Sequence, residues 1–141
     1  MYEAKDAGKN TFHFYTPELN QAVTERLELA NDLRRAVERE EFRVYYQPRV
    51  EVSSGQIVGT EALIRWQHPQ KGLISPDSFI PIAEETGLII PIGQWVLNEA
   101  CRQNREWQDA GLPAICVSVN LSPIQFRQPG LIETVTDALQ H

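Results

Sequence analysis

The ten residues Ile57–Trp66 constrain this chain most, because they read as an apolar strand that nevertheless carries two full charges. Residues two apart share a face of a strand. Gly59, Glu61, Leu63 and Arg65 therefore fall on one side, and Val58, Thr60, Ala62 and Ile64 on the other. Burying an unpaired charge is costly, so an acid in this setting needs a metal, a cation or a water-filled mouth beside it. On pattern alone two readings of Glu61 stand level. One is an ion pair with Arg65 on a solvated face; the other is a ligand in a working site.

The elements around this strand are readable from periodicity and punctuation. Phe42 to Val50 is rich in β-branched and aromatic residues, and with Gln56–Trp66 across Ser53-Ser54-Gly55 it predicts a hairpin. Upstream, Thr16-Pro17 signals a helix start, and Val23, Leu27, Ala30, Leu33 and Val37 carry the helix to about residue 40. That helix has no Gly, Ser or Pro after position 17, so it reads as an ordered connector. Downstream, Gln67 to Leu73 reads as a loop. Ser75-Pro76-Asp77 opens a short helix that stops at Gly87. A longer helix spans about Leu88 to Ala110, burying Ile92, Trp95, Val96, Ala100 and Trp107, and Gly111 and Pro113 close it. Ile115 to Leu121 is a short strand, Ser122-Pro123 begins a helical turn, and Leu131, Val135 and Leu139 mark a final helix.

This order predicts an α/β arrangement with helices covering a sheet. The chain ends after a strand and helix with no closing strands, so it reads as an interrupted domain with open sheet edges, prone to self-association or disorder. At 141 residues and 42% apolar, one compact core is expected. The net charge of -6 argues against a nucleic-acid polymer as partner, because such binding draws on surplus Lys and Arg. Cys101 and Cys116 alone make neither a disulfide framework nor a zinc cluster. With no apolar run near the roughly 20 residues that span a bilayer and no signal-like start, a cytoplasmic location without membrane contact from this segment is expected. Anchoring of a parent protein elsewhere stays open.

Two further residues are candidates. Asn120 shares a face with Ser118 and Cys116 at the C-terminal end of its strand, where α/β barrels collect catalytic and metal-binding groups. The competing reading, which turn preference favours, makes it a cap for the turn at Ser122-Pro123. Gln47, before Pro48 at a strand end, offers a donor and an acceptor suited to a base edge, or is simply an exposed turn residue.

The motifs Phe42–Pro48, Glu61-Ala62-Leu63-Ile64-Arg65-Trp66, Ser75–Pro81 and Ala83–Ile89 occur here in order. Gly93–Leu97, Ala100-Cys101 and Val119–Phe126 follow. Together they resemble the EAL domain family over residues 33 to 141. The resemblance implies the N-terminal part of a TIM-like (β/α) barrel, incomplete here, that hydrolyses cyclic di-GMP to the linear dinucleotide pGpG with Mg²⁺ or Mn²⁺. It implies Glu61 as a catalytic metal ligand, Asn120 as a second metal ligand, Arg65 as a phosphate contact, and Gln47 and Leu63 as ligand contacts. The segments that supply the remaining family ligands are absent, so the chain alone is expected to be inactive, and a degenerate domain acting as a cyclic di-GMP receptor or a regulatory or dimerisation module is the alternative. A homodimer of the intact protein is a further expectation. Met1–Lys5 with Gly8-Lys9-Asn10 is similar to the end of GGDEF diguanylate cyclase domains. The implied organisation is a GGDEF remnant over 1–15, a connecting helix over 16–40 and the EAL part over 41–141.

Overall fold

The computed structural model describes residues 16–140. The GGDEF-like stretch over residues 1–15 lies outside the described residues.

Helix α1 (Pro17–Ala36) begins where the sequence directs. Thr16 Oγ1 accepts from the Leu19 N–H at 3.3 Å, and Pro17 occupies the first turn, where no N–H is needed. It stops at Ala36, short of the expected residue 40. Glu40 takes a left-handed φ of 54°, and the Glu41 N–H bonds back to the Ala36 carbonyl at 3.1 Å, turning the chain towards the sheet. The buried side chains of α1 lie in its second half. Leu33 and Ala36 are fully buried, whereas Val23 and Leu27 of the expected stripe are exposed.

Strands β1 (Phe42–Val50) and β2 (Ile57–His68) form the expected antiparallel hairpin, in register from Phe42 opposite Trp66 to Arg49 opposite Gly59. The segment read as a loop proves partly ordered: β2 runs on to His68 and pairs with a third short strand, β3 (Gly72–Ile74). The cause is a side chain acting for the backbone. Buried His68 accepts at Nδ1 from the N–H groups of Gln70 and Lys71, at 3.2 and 3.1 Å, which folds the turn over without help from hydrophobic alternation.

Helix α2 (Pro76–Thr86) ends at Gly87, whose φ of 77° is the left-handed conformation a helix stop of this kind uses. Helix α3 (Ile89–Asp109) buries Ile92, Val96 and Ala100 as its spacing predicts. Strand β4 (Cys116–Val119) returns parallel to β2, pairing Gly59 with Cys116 through to Ala62 with Val119. Helices α4 (Pro123–Phe126) and α5 (Leu131–Gln140) follow. On α5 the buried position is Ala138, and the expected Leu139 points outward.

The sheet thus places β1 on one side of β2, with β4 and then β3 on the other. Helices α1, α2 and α3 cover one face, where Leu33, Phe42, Trp66, Phe79 and Ile92 are fully buried. The rings of Phe42, Trp66 and Phe79 lie 5.7 to 6.1 Å apart in tilted and edge-on contacts. Full burial of each such side chain contributes roughly 1.5–3 kcal/mol, so this cluster anchors the hairpin to the helices. The other face of the sheet carries Tyr45, Gln47, Glu61, Leu63 and Arg65. Among the described strands, β1, β3 and β4 each keep one unpaired edge. This is the α/β class expected, with part of a barrel wall rather than a closed barrel. No helix among the described residues is long and apolar enough to cross a membrane.

Candidate functional site

The ladder fixes which side chains meet. Gln47 lies opposite Glu61 on β1, and Ser118 lies beside Glu61 on β4, so period-two alternation sets all three in one row on the uncovered face. One row further along come Tyr45 and Leu63, then Arg43 and Arg65. The opposite side of β2 is the packed one, with Thr60, Ala62 and Trp66 buried. Burial of that face dictates the register, because a slip of one residue would drive Glu61 and Arg65 into the apolar core.

Glu61 is partly buried, and its Oε1 accepts a hydrogen bond from Asn120 Nδ2 at 2.8 Å. Asn120 is the first residue after β4, next to the last ladder pair. The expected alternatives for both residues fail here. Glu61 and Arg65 make no ion pair among the described residues: four positions along a strand is a span of about 13 Å, beyond the reach of a direct contact between these two. Arg65 instead sets its guanidinium 5.6 Å from the Tyr45 ring centroid and donates through Nη1 to the Ile64 carbonyl at 2.8 Å. Asn120 does not cap the following turn. Ser122 does, its Oγ accepting from the Ile124 N–H while the Gln125 side chain accepts from the Ser122 N–H at 3.0 Å.

Beside this row, between the end of the sheet and α2 to α4, lies a cleft of about 330 Å³ with Leu63, Arg65, Glu84, Asn120 and Ser122 on its walls. A carboxylate on β2 and an amide just past the end of β4 are the donor types a hard divalent cation takes, so the Glu61–Asn120 pair fits one. No group of three His, Cys, Asp or Glu side chains converges among the described residues. A groove of about 410 Å³ between α3 and α5 includes Glu99 and Arg102 but none of the predicted site residues.

A family model for the EAL domain matches residues 30–141. The chain belongs to the EAL domain family. Its relatives include the bifunctional diguanylate cyclase/cyclic di-GMP phosphodiesterase MucR of Pseudomonas aeruginosa, 50% identical over 139 residues, or 99% of this chain and 20% of MucR. The cyclic di-GMP phosphodiesterase PdeR of Escherichia coli is 41% identical over 140 residues, 99% of this chain and 21% of PdeR. Among solved structures, a MucR phosphodiesterase in complex with cyclic di-GMP superposes with a TM-score of 0.77 at 51% identity, over 80% of this chain and 46% of that one. The chain thus spans about a fifth of the curated EAL relatives and under half of the solved EAL chain.

Within this EAL segment the structure sets Gln47, Glu61, Leu63 and Arg65 on one sheet face and brings Asn120 against Glu61. Three contributors escaped the sequence reading. Tyr45 carries the Arg65 guanidinium, and Arg49, on the same strand face, reaches Ser118 Oγ at 3.5 Å. Both were available from the alternation of β1. Glu84 of α2, which accepts from Ser122 Oγ at 2.7 Å, had no local signal, since its partner lies 38 residues away.

Proposed function

We propose that this EAL segment forms one side of the active site of a cyclic di-GMP phosphodiesterase that yields pGpG. The observation that carries the reading is the 2.8 Å contact of Glu61 with Asn120, on the sheet face that also presents Gln47 and Arg65. The similarity to MucR and PdeR and to the MucR complex with cyclic di-GMP supports the substrate class. Glu61 and Asn120 would hold Mg²⁺ or Mn²⁺ through a carboxylate and an amide oxygen. When bound, the cation supplies water activation and offsets charge on the leaving oxygen. Arg65, preset by Tyr45, holds a phosphodiester oxygen with a planar guanidinium. Gln47 reads a guanine edge and Leu63 packs against the ligand.

The same proposal covers domain organisation: residues 1–15 end a GGDEF domain, 16–40 connect, and 41–141 form the first half of the EAL barrel. The near-complete match to a relative named for both cyclase and phosphodiesterase activities supports it. With two oxygen donors, the 141 residues alone bind metal weakly and do not hydrolyse cyclic di-GMP.

The test is hydrolysis of cyclic di-GMP by the intact protein that carries these residues, followed by chromatography of the product. Glu61→Ala and Asn120→Ala are each expected to lower turnover by about 100-fold or more, and Arg65→Ala to weaken substrate binding. Undiminished hydrolysis in Glu61→Ala rejects the reading. Tight binding of cyclic di-GMP with no hydrolysis by the unaltered protein assigns it to receptors instead.

A further inference from the structure

Asn120 sits one residue past the last β-ladder pair, Ala62 with Val119, so strand pairing does not hold its backbone from the C-terminal side. What holds it is a clasp two residues on. Ser122 donates through Oγ to Glu84 Oε1 of α2 at 2.7 Å, and its Oγ also accepts from the Ile124 N–H at 3.2 Å. Its own N–H donates to Gln125 Oε1 at 3.0 Å. Gln125 is 6% exposed and is the one buried residue of α4, a polar side chain spent inside the protein. Its amide lies against Gly93 of α3: a Cβ there would fall 1.9 Å from Gln125 Nε2. A glycine inside a helix is unfavourable on its own, and this contact explains its presence.

Two helices therefore hold Ser122 directly, α2 through Glu84 and α4 through Gln125, and α3 backs the Gln125 amide through Gly93. Between this clasp and the ladder, only Asn120 and Leu121 are left to move. A two-residue link tethered at both ends has little freedom, so the clasp controls where the Asn120 amide stands relative to Glu61.

We propose that Ser122, tied to Glu84 and Gln125, is the positioning residue that keeps Asn120 against Glu61 and so sets the affinity of the site for its cation. The inference rests on Asn120 being a metal ligand, as proposed above. In this arrangement Ser122 and Glu84 act on the ion through Asn120.

The experiment uses the intact protein that carries these residues and Mn²⁺ alone as probe, titrated by loss of the free-ion paramagnetic resonance signal. Metal-free thermal melts run in parallel. Asn120→Ala is the reference and is expected to weaken Mn²⁺ binding at least about 10-fold. Ser122→Ala and Glu84→Ala are expected to weaken it by about 10-fold, and by no more than Asn120→Ala does. Ser122→Thr and Glu84→Gln, which keep the hydroxyl and the acceptor, restore it. A purely structural clasp would lower Tm in the alanine variants and leave the Mn²⁺ affinity of the folded protein intact, and that result overturns the proposal. Glu84→Ala carries the test if Ser122→Ala does not fold. Unchanged Mn²⁺ affinity in Asn120→Ala removes the ligand reading itself, which separates that failure from failure of the clasp.

Discussion

The side-chain amide of Asn120 donates to Glu61 Oε1 across 2.8 Å, joining the residue after β4 to the middle of β2. An Asn120→Asp substitution keeps the shape and sets a second carboxylate beside the first. Without divalent ions, like-charge repulsion and the lost hydrogen bond are expected to cost about 1 kcal/mol, a drop of a few degrees in Tm. Added Mn²⁺ should raise the Tm of the variant more than that of the wild type, because the ion binds the folded state alone. Thermal melts with and without the ion check this. Equal responses would mean that the pair does not meet a cation.

Gly93 and Gln125 form a second test pair. In an ordinary helix Gly→Ala stabilises by about 1 kcal/mol. Here the new Cβ would lie 1.9 Å from Gln125 Nε2, so Gly93→Ala must expel a buried side chain and break its bond to the Ser122 N–H. A net loss of about 1–2 kcal/mol is expected in urea unfolding. Gln125→Ala alone also destabilises, but in its background Gly93→Ala should become neutral or stabilising. Additivity of the two changes would show that they do not meet.

His68 joins two functions that substitution can separate. Its Nδ1 accepts from two backbone N–H groups in the turn between β2 and β3, and its Nε2 lies 3.1 Å from Asp32 Oδ2 on α1. With Nδ1 accepting, Nε2 carries the proton and donates to Asp32. Asparagine places an oxygen near the Nδ1 position, so His68→Asn should keep the turn and release α1. His68→Ala loses both and should cost about 1–2 kcal/mol more. Hydrogen exchange distinguishes them: faster exchange confined to α1 in the Asn variant, and in both α1 and the β2–β3 turn in the Ala variant.

Tyr46 offers a pH test. Its hydroxyl is buried without a hydrogen-bond partner among the described residues, and its ring meets Trp107 edge-on at 4.8 Å. Burial, helped by repulsion from Glu99, pushes its pKa from 10.0 up to about 12. A raised pKa means that the folded state holds its proton longer than the unfolded one. The associated stability is complete below pH 10 and is lost as pH rises from 10 towards 12. Tyr46→Phe should equal or exceed wild type by about 1 kcal/mol near neutrality, since an orphan hydroxyl is removed. Its advantage should widen across that alkaline window. A constant gap in unfolding free energy from pH 9 to 12 would contradict this account.

Much of the fold was legible because the signals are local. The hairpin followed from β-branched runs flanking Ser53-Ser54-Gly55, and the stop of α2 at Gly87 from a residue that accepts a φ of 77°. The end of α1 was not legible. Glu40 has no intrinsic taste for a φ of 54°, and it is held there by the return bond from Glu41 to Ala36 and by the need to enter β1. Nor was β3, where buried His68 replaces hydrophobic alternation as the organiser.

For Glu61 the division is sharp. Period-two geometry determined its face and set Leu63 and Arg65 on the same side, because alternation is a property of each residue and its neighbours. It left the partner of Glu61 undecided. Only the parallel pairing of β4 with β2 chose Asn120, 59 residues away, over Arg65, four residues away. A strand carries no information about what lies beside it: that follows from the packing of α2 and α3, which delivers β4 to its edge.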